Sequence, residues 1–386
     1  MTDYLRPAPF PLSYWERETF FSHIDAVVIG SGIVGLTAAI CLKERKPKDR
    51  VLVLERGPLP IGASTRNAGF ACFGSLSELL DDAAQRPLDQ VLGLVAERYR
   101  GLQRLRERLG DNAIDFRPYG GYELFKLEEN DRFEACLEAM PEYNRALSSI
   151  NGRQETYRLA DQECARFGFQ GVAHLIRDES EGQIHTGKMM AALLAKARAA
   201  GIEIYNGIGI RALEDDAREV TLLTEQGWEL RAGAVLVATN GFAHRLLPGL
   251  ELRPARNQVL ITGPVPGLRL QGNFHYDRGY YYFRNIDGRI LLGGARNLDI
   301  EGETTDHFGH TERIRQALLK LLQELILPDQ QIQIDCWWSG IMGMGPVKQP
   351  IIRKWSERVA IAVRMGGMGV AIGSLVGEEG AELLLR

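Results

Sequence analysis

The run AVVIGSGIVGL, residues 26–36, constrains this chain more than any other feature. An apolar, β-branched stretch, DAVVIG from residue 25, breaks directly into Gly30, Gly32 and Gly35. Such a stretch becomes a buried parallel strand. The residues after it, LTAAICLKERK, are helix formers with apolar positions on one face, and RVLVLERG reads as a second buried strand ending at Glu55. That order gives the loop Gly30-Ser31-Gly32-Ile33-Val34-Gly35 a physical task. The glycines permit a tight strand-to-helix turn, close approach by a pyrophosphate and close helix–strand packing. The helix start at Ile33 and Val34 offers unpaired N–H groups and a positive dipole end to phosphates. Glu55 lies about twenty residues past Gly35, where a carboxylate accepts hydrogen bonds from ribose hydroxyls. A nicotinamide dinucleotide and a flavin dinucleotide both satisfy this much.

The next segment separates them. RGPLPIGASTRNAGFACFGS, residues 56–75, does not lead quickly into another βα unit. After Arg56 it presents small and polar residues: Ala63, Ser64, Arg66, Asn67, Ala68 and Gly69. Small residues leave space, while hydroxyls, an amide and backbone N–H groups supply hydrogen bonds. Such a segment suits a large ligand lying extended along the chain, and a solvated loop is the plain alternative.

The bulk numbers exclude several classes. A chain of 386 residues suits two interleaved domains. Its net charge of -4 gives no strong attraction to nucleic acid or anionic membrane. No apolar stretch has the length of a membrane span, and the N-terminus lacks a secretory pattern. The five cysteines form no CxxC pair or disulfide ladder, which fits a reducing cytoplasm. HFGH, residues 307–310, has only a loose metal-ligand look, with no third ligand nearby, and is read as an ordinary loop. Residues 1–20, with prolines and aromatics, read as an extended arm anchored by Tyr14 and Trp15.

Further segments fall in a recognisable order: GASTRNAGF, then GQIHTGKMMAALLAKARAAGIEIY, AVLVATNG at 234–241, YYYFRNIDGRILLGGAR at 280–296, and RMGGMGVAIGSLVGEEGAELLL. With the glycine loop and Glu55, they resemble the flavin-dependent amine and amino-acid oxidoreductases grouped with D-amino-acid oxidase, glycine oxidase and monomeric sarcosine oxidase. The resemblance runs over most of the chain. It implies a mixed α/β and α+β fold: a discontinuous Rossmann-like FAD-binding domain with an inserted antiparallel-sheet substrate domain. The FAD-binding part is assigned residues 21–85, 155–245 and 335–386, and the substrate part 86–154 and 246–334. It adds Ile210, Ala238, Thr239, Gly241 and Gly340 to the cofactor-binding residues. It also adds the turn Gly366-Gly367-Met368-Gly369-Val370, which brings a helix N-terminus to the flavin's pyrimidine edge, where reduced flavin gathers negative charge. The residues at the family's two covalent attachment positions are Arg66 and Gly340, so FAD is expected to be noncovalent.

Amine oxidation by a flavin asks mainly for position and electrostatics. The family's usual devices are absent here. The arginine that clamps a substrate carboxylate falls on Met342, a second clamp lysine on Ala371, and the lysine associated with oxygen on Leu291. The acid of the late segment falls on Val347. The replacement candidates are Tyr282, Arg284 and Met342. Tyr280 and Tyr282 share one strand face, Tyr281 and Phe283 the other. One face is expected to line an aromatic pocket, with ordinary sheet packing as the competing role. Arg284 and Arg296 are candidates for a carboxylate away from the reacting carbon. Of Trp337 and Trp338, one is expected in the core and one in the pocket, and Met342 with Met344 would form an adaptable apolar wall. The expected activity is oxidation of the C–N bond of a small amine or amino acid by hydride transfer, with oxygen or a quinone as acceptor. A 2-hydroxy-acid dehydrogenase of the same fold and a non-catalytic FAD-binding subunit are the alternatives.

Overall fold

The strand predicted at 25–30 runs Ile24–Ile29 in the computed structural model, which describes residues 10–216, 218–328 and 330–386. It lies at the centre of a largely parallel sheet. Val28 stands beside Val53 of strand Val51–Glu55 on one side and Leu236 of strand Glu229–Val237 on the other. Val359–Val363 and Glu203–Asn206 extend the sheet in parallel beyond those two. The five residues of Val51–Glu55 are all buried, as a strand covered on both faces requires. One face is covered by helices Ile33–Arg45, Thr186–Ala199 and Gly369–Leu385. The other packs against an antiparallel extension of strands Ile210–Asp215 and Val220–Thr224.

Helix Gly369–Leu385 lies unusually close to helix Ile33–Arg45. A Cβ at Gly377 would sit 2.6 Å from the Val34 carbonyl oxygen, so only glycine permits the approach. Helix Leu88–Leu109 packs on the same C-terminal helix, with Gly101 against Ala371 and Ile372. It therefore lies with the dinucleotide layer, although it falls in the part assigned to the substrate half.

The second sheet has eight strands. In spatial order they are Ile334–Met344, Arg253–Thr262, Arg289–Gly294, Tyr281–Ile286, Asn273–Tyr276, Gly121–Lys126, Val172–Asp178 and Tyr157–Leu159. All neighbours are antiparallel except Asn273–Tyr276 with Gly121–Lys126. Three of its strands, Tyr157–Leu159, Val172–Asp178 and Ile334–Met344, fall in segments assigned to the FAD half. Their register explains the difference: each finds its hydrogen-bond partners in this sheet, and the chain crosses between halves more often than prolines reveal.

Alternation divides this sheet cleanly. Phe274, Phe283, Leu292 and Leu260 face helix Glu312–Leu321 and the turn Leu322–Ile326, with Phe274 and Phe283 stacked at 4.9 Å. The registers place Glu123, His275, Tyr282, Gly293, Val259 and Trp338 in one row on the opposite face. That row looks toward the dinucleotide half.

The N-terminal arm differs from expectation. Residues 1–9 lie outside the described residues. Tyr14–Phe20 is a short helix closed by a Ser13–Glu16 capping box, and none of it is buried. Tyr14 and Trp15 are 66% and 74% exposed, so they anchor nothing. The hold comes from Phe10, whose carbonyl accepts the Trp228 indole N–H at 2.9 Å, and from Phe20 and Phe21 against Tyr205.

One prediction follows from the glycine contacts. A Cβ at Gly35 would overlap the Gly30 carbonyl, whereas one at Gly62 would meet nothing within 4 Å. Gly35→Val should cost at least about 2 kcal/mol by overpacking, and Gly62→Ala less than about 0.5 kcal/mol. Urea unfolding of the two variants checks this.

Candidate active site

A cleft of about 690 Å³ runs between the two sheets. At one end it is lined by the glycine loop. Gly30 turns the chain out of its strand with φ +107°, and a Cβ there would lie 2.9 Å from the Ala238 carbonyl oxygen. Gly32 caps helix Ile33–Arg45 without a side chain, so the first amides of the helix open on the cleft; the Ser64 hydroxyl accepts from the Ile33 N–H at 3.0 Å. Glu55 is buried at the end of its strand. Its carboxylate accepts from the Ser31 hydroxyl at 2.6 Å, the Ser31 amide at 3.2 Å and the Gly57 amide at 3.0 Å. Arg56 stacks on Phe242 at 3.8 Å beside Ile210.

The middle of the cleft is lined by the segment 62–68. Asn67 organises it: its side-chain oxygen accepts from the Gly69 amide at 2.8 Å and the Thr186 hydroxyl at 3.0 Å. Its amide donates to the carbonyls of Ala63 and Ser64. Arg66 donates to the carbonyls of Ile61 and Ser339, and Trp338 donates its indole N–H to the Arg66 carbonyl at 3.0 Å. Trp338 therefore buttresses the segment, while Trp337 packs toward the helix side of its sheet. Opposite, Asn240 and Arg364 adopt left-handed conformations, φ 46° and 68°. The Asn240 side chain accepts from the Arg364 and Met365 amides, holding the turn Gly366-Gly367 in place before the last helix. Residues 366–370 all line the cleft, as do Ala63, Ser64, Ala68, Thr239 and Gly340.

Four of the residues expected to touch a ligand do not line the cleft. Gly35 and Gly69 leave room for the carbonyls of Gly30 and Ile184, and Gly241 leaves room for the Met342 carbonyl at 2.5 Å. These glycines serve packing. The fourth is Arg284, proposed for catalysis. It is buried, and its guanidinium donates to the carbonyls of Ala68, Gly69 and Ile184 at 3.3, 2.9 and 2.8 Å. Burial lowers its pKa to about 10. Its Nε and Nη1 donate to backbone carbonyls, so Arg284 pins the 68–69 loop to the antiparallel sheet, and it does not line the cleft.

The far end of the cleft is aromatic and thioether-rich. Tyr280, Tyr282, Met342 and Met344 line it, as expected, together with Phe70 and Met368. Tyr281 and Phe283 face the helix side instead. The Tyr282 ring lies across Gly293, where a Cβ would be 2.7 Å from its ring carbons. Its oxygen accepts from the Asn257 amide at 3.1 Å, and burial raises its pKa, so it is a neutral hydroxyl. Leu291 is buried against Ala68 and Val259.

Several charged groups here escaped the sequence reading. Lys348 sits 2.8 Å from both Glu78 and Asp82, all three lining the cleft. Burial alone would raise Glu78, but the Lys348 ammonium holds it below its ordinary value. Arg278 reaches Asp277 at 3.4 Å and Asp81 at 3.9 Å. Arg296 has no ion pair among the described residues. Glu78, Asp81 and Asp82 follow helical spacing in SELLDDA, which reads as a solvated face, and Lys348 lies in a loop, so neither carried a signal. Cys72, Glu181 and His275 are buried and offer ligand-type atoms within 4.8 Å of one another. His275 and Glu181 hydrogen-bond at 3.0 Å, and burial pushes the Cys72 thiol well above its ordinary pKa, so the set is an ion pair beside a neutral thiol.

A dinucleotide fits this cleft. Thr239 Oγ1 and Asn257 Oδ1 belong to lining residues and are buried without a protein partner, polar capacity that the protein itself leaves unused. The acid, the helix N-terminus and the bare backbone of 366–369 are spaced along one continuous channel. Such a cleft defines a dinucleotide-dependent redox protein. Residues 25–383 match the family model DAO, "FAD dependent oxidoreductase", and the chain belongs to that family. A "Probable oxidoreductase OrdL" of Rhizobium meliloti (strain 1021) is 27% identical over 381 residues, 94% of this chain and 83% of that protein. A glycine oxidase of Geobacillus kaustophilus is 26% identical over 379 residues, 94% and 93% of the two chains. The solved structure of glycine oxidase from that organism has a TM-score of 0.73 at 22% identity, covering 94% of each chain. That of L-proline dehydrogenase from P. horikoshii has a TM-score of 0.72 at 19% identity, covering 94% and 93%. The chain is thus an FAD-dependent oxidoreductase, which sets aside the non-catalytic alternative. Among the described residues no helix is long and apolar enough to cross a membrane.

Glu55→Leu removes the buried carboxylate that ends strand Val51–Glu55 beside the glycine loop. It should weaken FAD retention by about 1.5–3 kcal/mol, or roughly tenfold to a hundredfold. Flavin fluorescence released on dilution measures it.

Proposed function

We propose that this enzyme oxidises the C–N bond of a small amine or amino acid. The observation that carries the reading is the far end of the cleft: an aromatic and thioether wall, roofed by the row of the antiparallel sheet, in direct continuity with the dinucleotide loop. When bound, FAD would be held by the glycine loop, Glu55, the 62–68 segment and the 366–369 turn and would supply a two-electron acceptor for the hydride of the nitrogen-bearing carbon; the substrate amine reacts neutral, its ammonium proton having passed to solvent, and water hydrolyses the released iminium to a carbonyl compound and the free amine or ammonia. The protein's share is placement. Tyr282, fixed by Asn257 and by the absence of a side chain at Gly293, offers a neutral hydroxyl proton to the substrate. Met342 and Met344 form an apolar surface that excludes water and adapts to shape. Phe70 packs edge-on against the Tyr282 ring at 5.6 Å and keeps it from rotating. The last helix, opening at Gly369, directs its amides to the site where negative charge gathers.

The relatives support the reading by what their names state: glycine oxidase and L-proline dehydrogenase act on amino acids. We place FAD as noncovalent, since Arg66 and Gly340 offer no attachment chemistry, and the scattered free cysteines favour a reducing cytoplasm.

The test is anaerobic bleaching of the flavin absorbance with a panel of amines, amino acids and 2-hydroxy acids. Reduction by an amine or amino acid is expected; reduction by hydroxy acids alone would overturn the reading. Readmitting oxygen identifies the acceptor, with rapid peroxide formation for oxygen and slow reoxidation for a quinone or carrier. Tyr282→Phe should lower the limiting reduction rate about tenfold to a hundredfold, while leaving flavin content unchanged.

A further inference from the structure

We propose that His275 is the group that recognises a carboxylate on the substrate, so that the substrate is a carboxylate-bearing amine. The inference rests on the reading of the site given above and deepens it.

His275 stands on strand Asn273–Tyr276, directly across from Tyr282, on the row that roofs the reacting end. It lines the cleft, and its ring packs edge-on against Phe70 at 5.3 Å. Its Nε2 is 3.0 Å from Glu181. Glu181 is 1% exposed and does not line the cleft. It fits there because Gly121 beneath it has no side chain. The counter-ion therefore lies behind the imidazole. The other ring nitrogen, Nδ1, has no hydrogen bond among the described residues. The remaining cations of this end are arranged differently. Lys348 and Arg278 already hold carboxylates that share the cleft wall with them, so a ligand anion would have to displace Glu78, Asp82 or Asp81. Arg296 has no ion pair among the described residues but is only partly buried, so water screens it. Arg86 also lines this end, partly buried and hydrogen-bonded to Gln349. Among the described residues, His275 combines a buried imidazole that lines the cleft, a counter-ion that does not, and a ring nitrogen with no protein partner.

The surroundings select the anion. Phe70 and Tyr282 flank the ring, and Cys72, a neutral thiol in the same nook, contacts Met368 at 3.9 Å. This ties His275 to the glycine turn that opens the last helix. An imidazolium flanked by two aromatic rings suits one negative charge, and a planar carboxylate can accept from Nδ1 while its other oxygen meets Tyr282 or water.

The charge on His275 is conditional. The groups facing it are Glu181 behind, Glu123 and Tyr282 on the adjacent strands, Glu78 from helix Leu76–Ala83, and Cys72. Asp178 lies beyond Glu181. Burial by itself lowers the imidazole, but Glu181, then Glu123 and Glu78, outweigh it and raise the pKa to about 9. Burial and Glu181 push Asp178 up to about 7. Below about pH 9 His275 is therefore a cation and donates from both nitrogens; above it, affinity for an anion falls with the loss of that proton.

The experiment is calorimetric titration of the FAD-loaded protein with acetate, propionate and benzoate, against acetamide and benzamide, from pH 6 to 10.5. The acids should bind at least tenfold more tightly than the amides at pH 7. Their affinity should hold to about pH 9 and then fall about tenfold per pH unit. His275→Gln should weaken acid binding at least tenfold and erase the edge. Glu181→Gln should keep binding at pH 6 and move the edge down by at least one pH unit, which a merely structural glutamate would not do. Arg296→Ala should leave acid binding within twofold. Affinity that is flat to pH 10.5, equal binding of acid and amide, or loss in Arg296→Ala but not in His275→Gln would each overturn the proposal. The wild-type pH series and the amide comparison decide it even where a variant fails to fold. Carboxylate binding with its pH edge, but no bleaching by any amine, would sink the amine-oxidation reading and spare the site. Bleaching by amines with no acid preference would do the reverse.

Discussion

Everything in this molecule depends on backbone lying against backbone around the turn after strand Ile24–Ile29. Gly35 sits on the Gly30 carbonyl, Gly30 on the Ala238 carbonyl, and Gly377 of the last helix on the Val34 carbonyl. Three segments far apart in sequence are thereby drawn within van der Waals contact, with no side chain between them. The cost is flexibility in the unfolded chain, since each glycine surrenders more freedom than any other residue. The return is a channel whose floor is made of amides and carbonyls at fixed spacing, with a helix N-terminus at each of two points along it. The apolar core on both faces of the parallel sheet then holds that floor rigid.

Much of this was legible because it is local. The strand, the loop, the helix and Glu55 are consecutive, so periodicity and spacing specify them within a residue or two. The same is true of the alternation along YYYFRNI, which separated Tyr280 and Tyr282 from Tyr281 and Phe283; which pair meets the cleft is settled by the packing of the sheet. Long-range pairing was not legible. Arg284 has the same parity as Tyr282 and looks equally available, yet its neighbours are the carbonyls of residues 68, 69 and 184, and nothing in YYYFRNI announces them. His275 is similar: alternation turns it away from Phe274, but its partner Glu181 is 94 residues distant. Domain boundaries fared the same way, because a strand such as Ile334–Met344 declares its sheet only through its register with Arg253–Thr262.

Charge at the reacting end is distributed with economy. The acids of helix Leu76–Ala83 are matched by Lys348 and Arg278, and the family's arginine position holds a methionine. A cleft with few uncompensated charges keeps its dielectric low, so each remaining dipole, from the Tyr282 hydroxyl to the amides at Gly369, acts at greater strength than it would in water. Placement by shape and a small number of polar contacts is enough for a reaction in which the cofactor carries the electrons.

Arg284 has a mechanical consequence. By holding the carbonyls of Ala68, Gly69 and Ile184 from a strand of the opposite sheet, it acts as a rivet through the wall between the two halves. The loop of residues 68–69 and the antiparallel sheet are thereby joined directly, backbone to buried cation, at this wall. Any relative movement at that wall would have to break these three bonds, each joining a charged guanidinium to a buried carbonyl, so the guanidinium sets a threshold for separating the two sheets there.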